Sequence, residues 1–523
     1  MTEINPIVPG FSPDPSIALI DGTYYLVNST FHMFPGLPIY SSSDLVAWKH
    51  IGNAICRQSQ LSLASASTEI IPLDGGSHFL STGGLFAPTI RHHKGTNTTY
   101  IVCTKVVHGA TAANFIVSTK TIHTGGPWTD PVYFDFPGID PSLFFDDDDN
   151  GSKKAYLHGS AGPGPWTVIR MFEINADTGE TLTDVRELWK GTGGIYPEGP
   201  HIYKKDGWYY LFISEGGTHE DHMVTVARSR SIWGPYDPFS SGNPVLTARG
   251  TDEYIQHVGH TDLVEDLHGN WWAVCLGARR NGERYVLGRE TFLTTLDWED
   301  GWPVFQKVRL NPVLHRDVEK SLAAAARENG SHRVVDEVSP DVGFLYIRDA
   351  VLSNHRFSDD FKIITLVAGR GGFSQLEEPV TFVGKRQRRL QGSTSVSISV
   401  FPVAVQTQLA AGLAYFKDEH RYIQLFYNFL SSQVVFKVVN KVKVISKVVS
   451  HFVEIQAKVH LRIDYTESEY VFSFRADQDT NSTAFEAVDS LNMTGNDFVG
   501  PIIGVFAISD EDLLVQFSNL IVD

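Results

Sequence analysis

The chain has 523 residues, 42% hydrophobic and 20% charged, which describes a soluble globular protein longer than one usual domain. Sixty acidic residues against 43 basic ones give a formal net charge of −17, so nucleic acid is excluded as a partner. No apolar run is long enough to span a bilayer, so no membrane partner is expected, and 45 glycines with 12% aromatics suit a turn-rich β protein.

The first residues, Met1 to Pro6, carry neither the basic region nor the apolar core of a signal peptide. A cytoplasmic location is the expectation, with a secreted mature form as the alternative. The three cysteines, Cys56, Cys103 and Cys275, show no CxxC spacing, and the last two lie in apolar strand-like runs. They read as reduced thiols, buried rather than bridged. Sequons such as Asn28-Ser29-Thr30 occur, as chance provides in Ser/Thr-rich sequence.

Along the chain a two-part phrase recurs. Asp14-Pro15-Ser16-Ile17 precedes Thr23-Tyr24-Tyr25-Leu26-Val27, and Ala87-Pro88-Thr89-Ile90 precedes Thr99-Tyr100-Ile101-Val102. Asp140-Pro141-Ser142-Leu143, Glu198-Gly199-Pro200-His201 and His260-Thr261-Asp262-Leu263 begin three further copies, each followed by a turn and an aromatic strand. Five copies predict an all-β fold, a five-bladed β-propeller over residues 1–313, because radial repetition hides the strand edges. Asp14, Ala87, Asp140, Glu198 and His260 would then face a central site. Within the third copy, Asp146-Asp147-Asp148-Asp149-Asn150-Gly151 matches half a calcium loop, but the position of the bidentate Glu holds Leu157. The run reads as a solvated hairpin tip.

Residues 314–333 read as a linker whose helical stretch, Val318 to Arg327, is closed by Asn329-Gly330. Beyond it, period-two segments at 393–400, 422–427 and 470–474 predict a β-sandwich over 334–523.

Convergent carboxyls suggest acid–base chemistry on a neutral ligand. Hydrolysis of a glycosidic bond with inversion needs a base on water and an acid on the leaving oxygen, about 6.5–9.5 Å apart. Asp14, short and held between two prolines, suits the base. Glu198 has the longer reach and suits the acid, with its pKa raised by the nearby anion Asp140. This step asks for no cofactor.

These phrases, with Asn5-Pro6-Ile7-Val8-Pro9-Gly10-Phe11-Ser12 before the first, resemble glycoside hydrolase family 43 and within it the two-domain β-xylosidases. The resemblance implies the same roles for Asp14, Asp140 and Glu198. It adds a substrate-binding shell: Phe31 against the sugar, Thr218 lining the pocket and Arg289 donating to hydroxyls. Phe86 stands where relatives often carry Trp, keeping a stacking face and losing an N–H donor. Phe498 is the candidate for an aromatic side chain that the sandwich contributes to the pocket. The resemblance also places His260 near the axis, as a binding residue and candidate metal ligand, with calcium as the metal. Homo-oligomers are common in the family. The expected activity is an exo-acting, inverting 1,4-β-xylosidase on xylooligosaccharides. An α-L-arabinofuranosidase, alone or combined with xylosidase activity, is the alternative, and a non-catalytic carbohydrate-binding propeller is the reading from another class.

Overall fold

The computed structural model describes residues 3–109, 112–146, 154–315, 335–399, 407–454 and 457–522. The expected linker helix and most of the acidic hairpin tip lie outside these residues. Asp146, at the base of that tip, accepts hydrogen bonds from Lys204 and Tyr209 (both 2.6 Å).

Five antiparallel sheets form five blades, and their innermost strands are Ser16–Ile20, Gly84–His93, Gly138–Phe145, Glu198–Lys205 and Ile255–Glu265. Each innermost strand packs on the next, and the first packs on the fifth, so the ring is closed. These strands lack a simple alternating pattern because neighbouring blades cover both faces. Ile255–Glu265 is buried along its length except at Glu265. Between blades one and two, Tyr25, Ile39, Ile90, Ile101 and Phe115 form one core; Tyr210, Phe212, Trp271 and Phe292 form another between blades four and five. Each such side chain contributes about 1.5–3 kcal/mol by leaving water.

The N-terminal segment forms the seam of the ring. The Asn5 amide donates to Leu293 O (2.8 Å) and its Oδ1 accepts from Leu293 N (2.8 Å), while Ile4 N donates to Leu310 O (3.0 Å). Val8 bridges Thr291, and Ser12 N donates to Arg289 O (3.1 Å). Asn28 of the first sequon is fully buried and donates to Ser12 O, Pro13 O and Thr291 Oγ1. Cys103 and Cys275 are buried, whereas Cys56 is exposed.

After residue 335 the chain first returns to blade one. Asp336–Glu337 pairs in parallel with Lys49–Ile55, and Tyr346–Ile347 pairs with Met33–Phe34. Two sheets, one centred on Gly392–Ser399 and Lys458–Tyr465 and the other on Leu409–Asp418 and Arg421–Asn428, then face each other as a sandwich. Here alternation is clean: Thr394, Val396 and Ile398 point inward to a core with Leu413, Ile423, Leu461 and Phe472. A small third sheet joins the two domains. The hairpin Thr68–Pro72/His78–Thr82, inserted between blades one and two, pairs along its second strand with Asn496–Asp497 of the sandwich. Among the described residues no helix is long and apolar enough to cross a membrane.

Candidate active site

Each innermost strand carries the same local distortion. Asp14, Ala87, Asp140, Gly199 and His260 all adopt positive φ, between 34° and 56°. In blades two to five the pairing register shifts at that residue, as in a bulge that re-aims a side chain. The following Pro15, Pro88, Pro141 and Pro200 disfavour the right-handed helical alternative. A left-handed conformation costs a non-glycine residue about 1–3 kcal/mol, and four of the five are not glycine.

The bulges correct the register read from sequence. Gly199, not Glu198, is equivalent to Asp14 and Asp140, and Glu198 projects from the preceding residue. A Cβ at 199 would lie 3.0 Å from the His260 ring, so this position takes glycine and leaves room for the imidazole. The extra length of Glu over Asp suits its displaced origin.

Asp14 and Asp140 are buried and Glu198 is half-buried. Burial raises the Asp14 carboxyl, but Arg289, His260 and a Ser29 hydrogen bond outweigh it, so its pKa lies below the ordinary value. Its Oδ2 accepts from Ser29 Oγ (2.6 Å), and its Oδ1 lies 3.3 Å from Arg289 Nη1 and 4.0 Å from His260 Nδ1. Burial first, and then the charges of Asp140 and Asp14, hold Glu198 well above the carboxyl range. The expected anion, Asp140, therefore contributes, although desolvation leads. Asp140 is itself pushed up to about 6 by burial and Asp14, against the pull of His260 and a hydrogen bond from Gly199 N (3.0 Å). One carboxyl held ionised beside another held protonated is the arrangement required of a base and an acid.

Arg289 ties the binding shell together. Its Nη1 also donates to Thr218 Oγ1 (2.9 Å), and its Nη2 donates to Phe498 O (3.0 Å). The guanidinium lies 4.9 Å from the centre of the Phe498 ring and 5.4 Å from that of Phe31. Phe31 stacks between Phe11 (6.1 Å) and Phe498 (5.2 Å) and meets Phe86 (4.8 Å). At 1% exposure Phe31 is a supporting floor, which leaves the half-buried Phe86 and Phe498 as the accessible aromatic surfaces. All nine residues singled out in the sequence thus belong to one connected site.

Sequence reading missed Ser29, Phe11 and Phe79. Ser29 Oγ also accepts from Ala87 N (2.7 Å), locking blade one to blade two beneath the site. Phe79 meets the edge of Phe498 (4.9 Å) from the inserted hairpin. The only signal for Ser29 was a polar Asn-Ser-Thr triplet ending an apolar strand.

At the propeller axis one carboxylate is already occupied. The carboxylate there, Asp262, is taken by both Arg91 nitrogens (2.8 and 2.9 Å), by Ser16 Oγ (2.5 Å) and by Tyr203. Among the described residues no three His, Cys, Asp or Glu side chains gather as a metal site. No step below passes through a metal.

The sequence pattern of glycosyl hydrolases family 43 matches residues 4–303, and that of the β-xylosidase C-terminal concanavalin A-like domain matches residues 338–516. The chain belongs to glycosyl hydrolase family 43. It is 34% identical over 514 residues to a non-reducing end α-L-arabinofuranosidase from Bacteroides ovatus, covering 96% of this chain and 90% of that one. A xylosidase/arabinosidase from Butyrivibrio fibrisolvens is 34% identical over 83% of this chain and 81% of its own. The crystal structure of a xylan β-1,4-xylosidase from Bacillus halodurans superposes with a TM-score of 0.83 at 26% identity, covering 99% of both chains. The family 43 enzymes among these relatives act on carbohydrate, and this chain is a glycoside hydrolase with a carbohydrate substrate.

Proposed function

We propose that this protein is an exo-acting, inverting 1,4-β-xylosidase that releases xylose from the non-reducing ends of xylooligosaccharides. The opposed protonation of Asp14 and Glu198 in one buried site carries this reading. Asp14, kept ionised by Arg289, takes a proton from water as the water attacks the anomeric carbon. Glu198, kept protonated, gives its proton to the departing glycosidic oxygen. Asp140 stays an anion above about pH 6 and keeps the acid's affinity for its proton high. Arg289 and Thr218 supply donors for sugar hydroxyls, and Phe86 and Phe498 supply apolar faces. Closure by Phe498 favours a chain end over an internal bond. The full-length likeness to the Bacillus halodurans xylosidase supports the choice of xylose.

A second reading, α-L-arabinofuranosidase activity alone or alongside the first, is favoured by the Bacteroides ovatus relative aligned over 96% of the chain. The two sugars offer similar hydroxyls to the same donors. Proton NMR of the anomeric region during incubation with xylobiose separates the readings. Early α-xylose supports an inverting xylosidase, and early β-xylose overturns the mechanism. Silence on xylobiose with turnover of an arabinofuranoside selects the second reading, and silence on both leaves a binding propeller.

A further inference from the structure

Behind Phe498 the sandwich buries a cluster of four paired charges. Lys417, Asp418, Arg421 and Asp497 have side chains no more than 3% exposed. Lys417 Nζ donates to Asp497 Oδ2 (2.8 Å) and to Met493 O (3.3 Å). Arg421 bonds the same Asp497 oxygen through Nη1, and Asp418 Oδ2 through Nε (3.0 Å). Two cations and two anions balance, so each charge depends on the others: removing one partner leaves a buried, uncompensated ion.

This cluster grips the pocket wall from behind. Asp497 directly precedes Phe498, and its backbone pairs with Leu80 beside Phe79, whose ring touches Phe498. His219, next to Thr218, meets the Phe79 ring edge-on (5.6 Å). The turn that supplies Lys417 to Arg421 is fixed to the same hairpin: Glu419 Oε1 accepts from Thr68 N (2.6 Å), and His420 bonds Thr68 O (2.8 Å). Rigid backing matters because the Phe498 carbonyl holds Arg289, and Arg289 holds Asp14.

We infer that Asp497 is a positioning residue: anchored by Lys417 and Arg421, it sets the Phe498 carbonyl and ring, and through them the reach of Arg289 toward sugar and base. The inference rests on the hydrolase reading above. None of the four ions touches substrate; their work is transmitted through one carbonyl.

The test compares the full-length parent with Asp497→Asn, Lys417→Met and Asp497→Glu, each checked by thermal melting, on whichever aryl pentoside the parent hydrolyses. Asp497→Asn should raise KM on the order of ten-fold with a smaller change in kcat. It should also move the acidic limb of kcat/KM to higher pH, because Arg289 then stabilises ionised Asp14 less. Lys417→Met, which keeps the Arg421 contact, should shift both in the same direction by less. Asp497→Glu should restore part of the loss. Should Asp497→Asn fail to fold, Lys417→Met decides. Folded variants with the parental KM and pH profile, and only a uniformly lower kcat, would overturn the inference. A parent that hydrolyses no pentoside overturns the proposed pentosidase specificity alone. Xylose affinity by calorimetry then makes the same comparison, with weaker binding expected in Asp497→Asn and unchanged binding refuting the role.

Discussion

The same five innermost strands carry two polar clusters with opposite characters. At the bulges, three carboxyls share one guanidinium and one imidazole, and two of the three sit above their ordinary pKa. Two residues further along, Ser16, Ser142, His201 and Asp262 meet Arg91 and Tyr203, and the single carboxylate is satisfied on every side. Burial is comparable, so depth does not decide which cluster is reactive. Charge balance does. The lower cluster pairs its ion, whereas the upper one leaves protons contested, and only a contested proton can be moved in a reaction.

The largest effect expected from breaking the upper cluster is on rate. Asp14→Asn or Glu198→Gln should each lower kcat by about 10²–10⁴-fold, measured with an aryl xyloside, and Glu198→Gln should do so with the melting temperature near the parent's. Breaking the lower cluster should show the reverse. Asp262→Asn leaves Arg91 unpaired and should cost about 3–5 kcal/mol in denaturant unfolding. A fully stable Asp262→Asn protein would mean that the lower cluster is not the structural one.

The two clusters should also respond oppositely to pH. Burial raises Asp262, but Arg91 and His201 prevail and hold it well below the usual range, so its stabilisation is present at neutral pH and lost on acidification. Asp140 has a raised folded pKa, so the folded state binds more protons than the unfolded one between pH 3.8 and about 6. Stability is therefore lost as pH rises through that window, by about 3 kcal/mol for a shift of this size. Asp140→Asn should recover up to about that amount at pH 8 and little at pH 4. It should also lower the basic limb of the pH–rate profile, since Glu198 loses a neighbouring anion. An unaltered profile would remove Asp140 from the acid's environment. The smallest effect is expected at the rim: Phe498→Ala should raise KM by about 2- to 10-fold, the value of an aromatic contact.

How much of this was legible follows from what repeats. The five phrases could be aligned because each blade needs the same strand, turn and strand, and Asp14, Asp140 and His260 fell into register at once. Glu198 was found but placed one residue out, because a bulge adds a residue that no periodicity displays. Ser29 and Phe11 support the site from turns with no repeat of their own. The turn Lys417 to Arg421 drew no reading from the sequence, since five consecutive polar residues normally face water. A hairpin some 350 residues earlier folds against it, and Asp497 closes on it from within the sandwich. Contacts across such separations leave no local trace in composition or period.

The seam at the N terminus has a consequence for the order in which the protein becomes competent during synthesis. Asp14 leaves the ribosome ahead of the five blades, yet Arg289 lies 275 positions later, and Phe498 a further 209. Until the fifth blade emerges and Thr291 and Leu293 receive the opening segment, nothing holds Asp14 beside a cation. The nascent propeller therefore remains without its poised base for most of its translation. Its pocket gains a roof only when Phe498, 209 positions beyond Arg289, has been made.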